Sequence, residues 1–153
     1  MITIRPYRFD DLDTVIDIFL RAIREIASRD YTPAQIEAWA QVDRASWAEW
    51  RLSRPTWVAV VDGMPAGFAD LEPDGHLDMM FVHPAFRRVG VASALLEFVQ
   101  ESARAQELTR LFTESSLTAQ LFFLQHGFRV VAQQSVRKRG QDLTNFRMEK
   151  TLV

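Results

Sequence analysis

With 153 residues, 48% of them hydrophobic and 25% charged, the chain has the size and composition of one domain able to bury a core. A formal net charge of -2 lacks the basic excess of a general nucleic-acid binder, and the absence of cysteine excludes disulfides, thiolate-zinc sites and a cysteine nucleophile. Met1 to Arg5 lacks the basic start and apolar stretch of a signal peptide, and no run approaches the ~20 apolar residues of a membrane helix, so a cytoplasmic single domain over 1–153 is expected, with no membrane or nucleic-acid partner.

Ile2 and Ile4, with Tyr7, alternate with polar neighbours as a short strand does. From Asp10 the period changes to Leu12, Val15, Ile16, Phe19, Leu20, Ile23, Ile26 and Ala27, which predicts an amphipathic helix. Asp10, Asp11 and Asp13 open it and Arg21, Arg24 and Arg29 close it, in the order the helix dipole favours. Thr32-Pro33 supplies an N-cap and a proline at the first position of a second helix through Ile36 and Trp39, and a third short helix is expected near Ala45 to Leu52.

After Pro55, the runs Thr56–Val61, Ala66–Leu71 and Leu77–Val82 read as strands separated by the turns Asp62-Gly63-Met64-Pro65 and Glu72-Pro73-Asp74-Gly75, which predicts an antiparallel meander. Val89 to about Gln106 is helical, Arg110–Glu114 a strand, and Ala119–His126 a helix closed by Gly127. Phe128–Val136 and Leu143–Thr151 are two final strands. This order predicts an α/β fold, a mixed sheet with helices on both faces, in which residues 77 to 114 form a right-handed parallel crossover. Crevices at the carboxyl ends of strands, where the connection pattern changes, are favoured ligand sites, and the end of Leu77–Val82 is one.

There the strand runs into His83-Pro84, and Arg87-Arg88-Val89-Gly90-Val91-Ala92 follows directly. Gly90 and Ala92 let the backbone approach a ligand, successive amides and the positive end of the next helix favour an anion, and Arg87 and Arg88 neutralise it. The string is neither a dinucleotide G-x-G-x-x-G nor a P-loop, because the lysine and Ser/Thr of the latter are missing. Alone it is also compatible with a glycine turn carrying two solvated arginines.

The segment from Phe81 to Ala92 resembles the Q/R-x-x-G-x-G/A motif of GNAT N-acetyltransferases. Ala119-Gln120-Leu121-Phe122-Phe123-Leu124-Gln125-His126-Gly127-Phe128 is similar to their A-x-x-F-Y-x-x-x-G-F segment, and the strand order matches from end to end. The stretch from Arg139 to Phe146 looks like a small bacterial branch of that family. The resemblance implies a GNAT-type mixed, mostly antiparallel seven-stranded sheet, and direct acetyl transfer from acetyl-CoA to an amine without a covalent enzyme intermediate or a metal. By position, Met80, Phe81 and Val82 would pair with the pantetheine arm, one of their amides facing the thioester oxygen. Amides from Arg88 through Val89, Gly90, Val91 and Ala92 to Ser93 would hold the pyrophosphate.

The chain departs from the family pattern at two places. Phe123 stands where the family has a tyrosine that protonates the leaving thiolate, and Ser116 stands where an asparagine is common; both are expected to touch the cofactor. Phe123 has no proton to give, which also leaves open a non-catalytic acyl-CoA-binding or sensing module.

The amine must lose a proton, since an alkylammonium titrates near ~10.4. His76 and Asp78, two apart on one predicted strand and hence on one face, are the first candidate bases, with Glu114 a third. Solvation of His76 and an ion pair from Asp78 to an arginine are the alternatives. Tyr31, Trp39, Trp47, Trp50 and Trp57 lie where the family builds its acceptor pocket, although such aromatics more often fill a core. Tyr31 and Asn145 are taken as acceptor residues. Arg137-Lys138-Arg139-Gly140 suits an acidic acceptor, a nucleotide phosphate, or a charged hairpin tip guarding a strand edge. His126 is expected to end its helix before Gly127. The expected partners are a small-molecule or peptide amine and, for assembly, a second copy in a homodimer.

Overall fold

The computed structural model describes residues 1–152. Seven strands and five helices follow in the order β1 (Ile2–Pro6), α1 (Leu12–Glu25), α2 (Pro33–Trp39), α3 (Arg44–Ser53), β2 (Thr56–Val61), β3 (Met64–Asp70), β4 (Met80–Val82), α4 (Val91–Ala105), β5 (Arg110–Ser116), α5 (Gln120–Gln125), β6 (Arg129–Lys138) and β7 (Gln141–Thr151). The predicted α/β architecture is present, and the seven strands fall into two sheets instead of one: β1-β2-β3-β4 and β5-β7-β6, with every paired strand antiparallel. The parallel relation expected across residues 77 to 114 survives as a single bridge between His76 and Phe112.

Helices cover both faces of the first sheet because its strands alternate. Ala59, Ala66 and Ala69 meet the Val91, Leu95, Leu96, Val99 and Ala103 stripe of α4. Val58 and Phe68 point the opposite way, into Val15, Ile18, Phe19, Ile23 and Trp47 of α1 and α3. Each fully buried leucine of these layers contributes roughly 1.5–3 kcal/mol over exposure, so the α4 stripe holds its own N-terminus firmly against β4.

Local chemistry explains the helix layer. Thr32 accepts from the Gln35 amide at 3.2 Å while the Gln35 side chain accepts from the Thr32 amide at 2.8 Å, a reciprocal cap in front of Pro33. The helix read through Ala27 ends at Glu25, and Ala27–Arg29 form a separate tight turn. This layer also grips the second sheet. The Tyr31 hydroxyl donates to the Thr144 carbonyl at 2.7 Å, Gln35 Nε2 to the Asp142 carbonyl at 2.9 Å, and Arg139 Nη1 to the Ala38 carbonyl at 2.7 Å.

The third strand run is corrected. Leu77-Asp78-Met79 is not strand, because the buried Asp70 carboxylate takes the place of ladder carbonyls: its Oδ1 accepts from the Asp78 and Met79 amides, both at 2.9 Å. The ladder resumes at Ala69↔Met80. The inference that His76 and Asp78 share a face because they lie two apart on one strand therefore loses its premise. No described helix is long and apolar enough to cross a membrane.

Candidate active site

The interruption before β4 decides which backbone groups are available. The Asp70 amide donates to the Met79 carbonyl at 3.0 Å and the His83 amide to the Ala66 carbonyl at 2.8 Å, so these are ladder pairs. Antiparallel alternation then turns the Phe81 amide and carbonyl into the ladder and leaves those of Met80 and Val82 on the open edge. Of the three residues expected to offer backbone groups, Met80 and Val82 offer theirs; Phe81 instead contributes its ring, packed against Phe19 and Phe68.

Opposite that edge stands β5, tied in at one end only. The Leu77 amide donates to the Phe112 carbonyl at 2.9 Å, the Phe112 amide to the Gly75 carbonyl at 3.1 Å, and Thr113 Oγ1 to the Leu77 carbonyl at 2.8 Å. Gly75 has to be glycine: its φ is +97°, and a Cβ there would lie 2.3 Å from the Arg110 carbonyl oxygen. Beyond this knot β4 and β5 do not pair among the described residues, and a cleft opens between them.

Three adjoining spaces result. A groove of about 520 Å3 runs along Met80, Val82, Ala92, Ala119 and Phe122 to Arg87 and Arg88. A cavity of about 360 Å3 on the other side is walled by Phe19, Tyr31, Trp39, Trp47, Trp50 and Phe81, and carries Asp78, Glu114, Lys138, Arg139 and Asn145. A narrow space of about 70 Å3 lies between the strands, against Phe123, and Trp39, Phe81 and Ser116 line all three. Trp57 is not in this group; it packs on Phe98.

At the groove's far end, φ is +62° at Arg88 and +92° at Gly90, and α4 begins at Val91. Left-handed residues alternating with right-handed ones turn successive amides to one side, a concavity whose shape and position at the positive end of a fifteen-residue helix would suit an anion. Arg87 and Arg88 are exposed and form no ion pair among the described residues. His126, the C-cap of α5, donates from Nδ1 to the Phe122 carbonyl at 2.8 Å, and the hydrogen bond between its Nε2 and Ser93 Oγ, at 3.1 Å, fixes that hydroxyl at the start of α4. Amides, two uncommitted guanidinium groups and an apolar groove leading to free strand-edge groups fit an anion on an extended arm, as coenzyme A requires.

The predicted bases do meet, although not as expected. His76 lies between two carboxylates, Nδ1 at 2.7 Å from Glu72 Oε1 and Nε2 at 2.7 Å from Glu114 Oε1, and stacks on Phe112. The bond to Glu114 and, against the opposing effect of burial, the bond to Glu72 raise its pKa to about 9. It is an imidazolium at neutral pH, donating from both nitrogens, with no lone pair for a substrate proton. Arg54 Nη1 bridges Asp78 at 3.1 Å and Glu72 at 3.2 Å. Glu72, His76 and Asp78 converge within 4.8 Å, as metal ligands would, yet these cations already engage their donor atoms. Glu114 Oε2 has no hydrogen-bond partner among the described residues, and Glu114 lines the cavity.

Because the folded-state pKa of His76 lies above its unfolded value near 6.5, its stabilisation is complete below about pH 6.5 and lost as pH rises through 9. The unfolding midpoints of wild type and His76→Gln are expected to differ most near pH 6 and to converge by pH 10, as thermal melts across that range would show. A constant gap would contradict the charged state.

Of the proposed acceptor residues, Tyr31 lines the cavity with its ring, but its hydroxyl is spent: it donates to Thr144 and accepts from the Leu117 amide at 2.9 Å. Asn145 sits between Ser116 and Gln134 in the β5-β7-β6 ladder with its buried Oδ1 unpartnered, at the cavity wall.

This fold and cleft define a class of acyl-transfer protein, and the comparisons agree. The acetyltransferase (GNAT) domain family matches residues 27–152. The chain is 42% identical to the uncharacterized N-acetyltransferase YafP of Escherichia coli K12, over 96% of this chain and 94% of that one. It is 28% identical to the peptidyl-lysine N-acetyltransferase YjaB of the same organism, over 92% and 91%. A crystal structure of a GCN5-related N-acetyltransferase from Rhodopseudomonas palustris superposes with a TM-score of 0.94 at 33% identity, covering 98% of this chain and 95% of that one. The chain belongs to the GNAT family of acetyltransferases, whose acyl donor is acetyl-CoA.

Proposed function

We propose that the protein moves the acetyl group of acetyl-CoA directly to a primary amine while both are bound. The observation that carries this reading is the cleft itself. Free strand-edge groups and an anion-binding helix end lie on one side, and an aromatic cavity bearing Asp78 and Glu114 lies on the other, with a narrow passage between them. The carboxylates attract the ammonium, and Glu114 Oε2 accepts its proton. His76, instead of acting as the base, holds Glu114 in place. The open Met80 or Val82 amide donates to the oxygen where charge develops, a preorganised contact of the kind that commonly contributes most to acyl transfer.

The acceptor is read from the same cavity. Its walls suit an amine with a flat or apolar body, Lys138 and Arg139 suit an anionic group at the end remote from the amine, and Asn145 Oδ1 suits a donor. The peptidyl-lysine activity in YjaB's name makes lysine peptides one arm of an acceptor panel. Coenzyme A release is expected with a subset of these amines, and Glu114→Gln is expected to lower kcat/KM about 10²-fold with acetyl-CoA affinity unchanged. Release at background across the panel with acetyl-CoA still bound would instead support the second reading, an acyl-CoA-binding module, which the phenylalanine at 123 favours.

A further inference from the structure

Phe123 is 4% exposed and packs edge-on against Phe122 and Phe128, so the wall that faces the departing sulfur lacks a phenol. Hydroxyls stand nearby, and their protons can be followed one by one. Thr113 Oγ1 donates to the Leu77 carbonyl at 2.8 Å, Ser115 Oγ to the Ser116 carbonyl at 3.0 Å, Tyr31 to the Thr144 carbonyl at 2.7 Å, and Thr118 Oγ1 to Asp30 at 2.8 Å. Ser116 alone among them is different. Its Oγ accepts from the Ala119 amide at 3.1 Å, and its own proton has no acceptor among the described residues. It is also the one hydroxyl residue lining the groove, the narrow space and the aromatic cavity together.

We infer that Ser116 relays the proton that the departing thiolate needs, a catalytic role in place of the tyrosine missing at 123. The inference rests on the proposed placement of the thioester between β4 and β5. An oxygen that already accepts an amide bond is polarised, and its O–H donates more strongly. Glu114 has taken the first proton from the ammonium. As the amine nitrogen bonds to the acetyl carbon, the carbon–sulfur bond breaks and its electron pair leaves with sulfur. The surplus proton on nitrogen passes to Ser116 Oγ while Ser116 gives its own proton to sulfur. Serine ends neutral, and the products are an acetamide and the coenzyme A thiol, so no alkoxide has to persist.

The test compares wild type with Ser116→Ala and Ser116→Thr, the latter keeping both the hydroxyl and the bond from Ala119. With acetyl-CoA, Ser116→Ala should lose about 10²-fold in kcat with KM for the donor unchanged, and Ser116→Thr should recover most of it. With an acetyl thioester of an acidic aryl thiol, which leaves without a proton, the alanine deficit should disappear. Adding Phe123→Tyr to Ser116→Ala should restore turnover of acetyl-CoA. A readout without turnover is the titration of bound coenzyme A followed by thiolate absorbance: the hydroxyl stabilises the thiolate, so the bound thiol should ionise at higher pH in Ser116→Ala than in wild type. An alanine variant with an equal deficit for both donors and an unchanged thiol titration would overturn the relay, its loss being that of the Ala119 contact alone. A wild type that releases coenzyme A while Ser116→Ala matches it would overturn the relay but leave the acetyltransferase reading standing. A wild type that binds no coenzyme A would overturn both.

Discussion

Replacing Arg51 by methionine is expected to lower the unfolding free energy by about 3 kcal/mol. Arg51 on α3 and Asp70 on β3 have fully buried side chains, with Nη1 3.0 Å from Oδ2. Burial pushes the Asp70 pKa up even with Arg51 and the Met79 amide opposing it. Without the guanidinium, Arg54 Nη1, 3.8 Å from Oδ2 and shared with Glu72 and Asp78, compensates the carboxylate only in part, so either a poorly paired charge stays in the core or the carboxyl takes up a proton at further cost. Methionine fills most of the volume, which isolates the electrostatic part. Asp70→Asn keeps an oxygen for the Asp78 and Met79 amides but strands Arg51, so it too should destabilise, and the double variant should lose less than the sum of the two. Urea unfolding measures all three. A loss below about 1 kcal/mol for Arg51→Met would place the pair among replaceable ones. The same Asp70 shapes the start of β4, so acetyl-CoA affinity should fall along with stability in these variants.

Gly90→Glu is expected to abolish acetyl-CoA binding while costing the fold only about 1–2 kcal/mol. The residue sits at φ +92°, which any side chain pays for in strain, yet a Cβ there would meet only Ile2 Cδ1, at an ordinary 3.7 Å. The protein therefore has room for a side chain, and the damage is directed at the ligand. A carboxylate at the mouth of α4 takes the place of the phosphate oxygens among the amides and repels the remaining anion. Gly90→Ala carries the strain without the charge and should lose only part of the affinity. Calorimetric titration separates the cases, and full affinity in Gly90→Glu would refute the placement of the pyrophosphate.

Where structure depends on neighbours in sequence, it was legible. Thr56–Val61 is strand over the residues expected, Thr32 caps α2 in front of Pro33, and His126 and Gly127 close α5. The glycine loop was readable too, because a turn, a small residue and a helix start are all local. What was not legible depends on partners far along the chain. Leu77-Asp78-Met79 has the pattern of a strand, and only the capture of its amides by Asp70, eight and nine residues earlier, stops it being one. His76 reads as a base until Glu114, 38 residues on, turns it into a charged clamp. The division into two sheets follows from β4 and β5 not pairing with each other: the one bridge that ties the sheets together on this side, His76 to Phe112, lies before β4 begins, which no pattern within either strand records. Trp57 and Trp47 have the same side chain, and only tertiary packing separates them: the pairing of β2 sends Trp57 toward Phe98, while the packing of α3 on α1 brings Trp47 to the cavity.

The central claim, direct transfer between two bound substrates, is tested most directly by intact-mass measurement after mixing the protein with acetyl-CoA, first alone and then with an amine from the panel. With no cysteine to hold an acyl group, the protein mass is predicted to stay unchanged in both mixtures, and acetylated amine is predicted only when donor and amine are present together. An acetyl adduct on the protein that forms without amine and is consumed when amine is added would contradict the account.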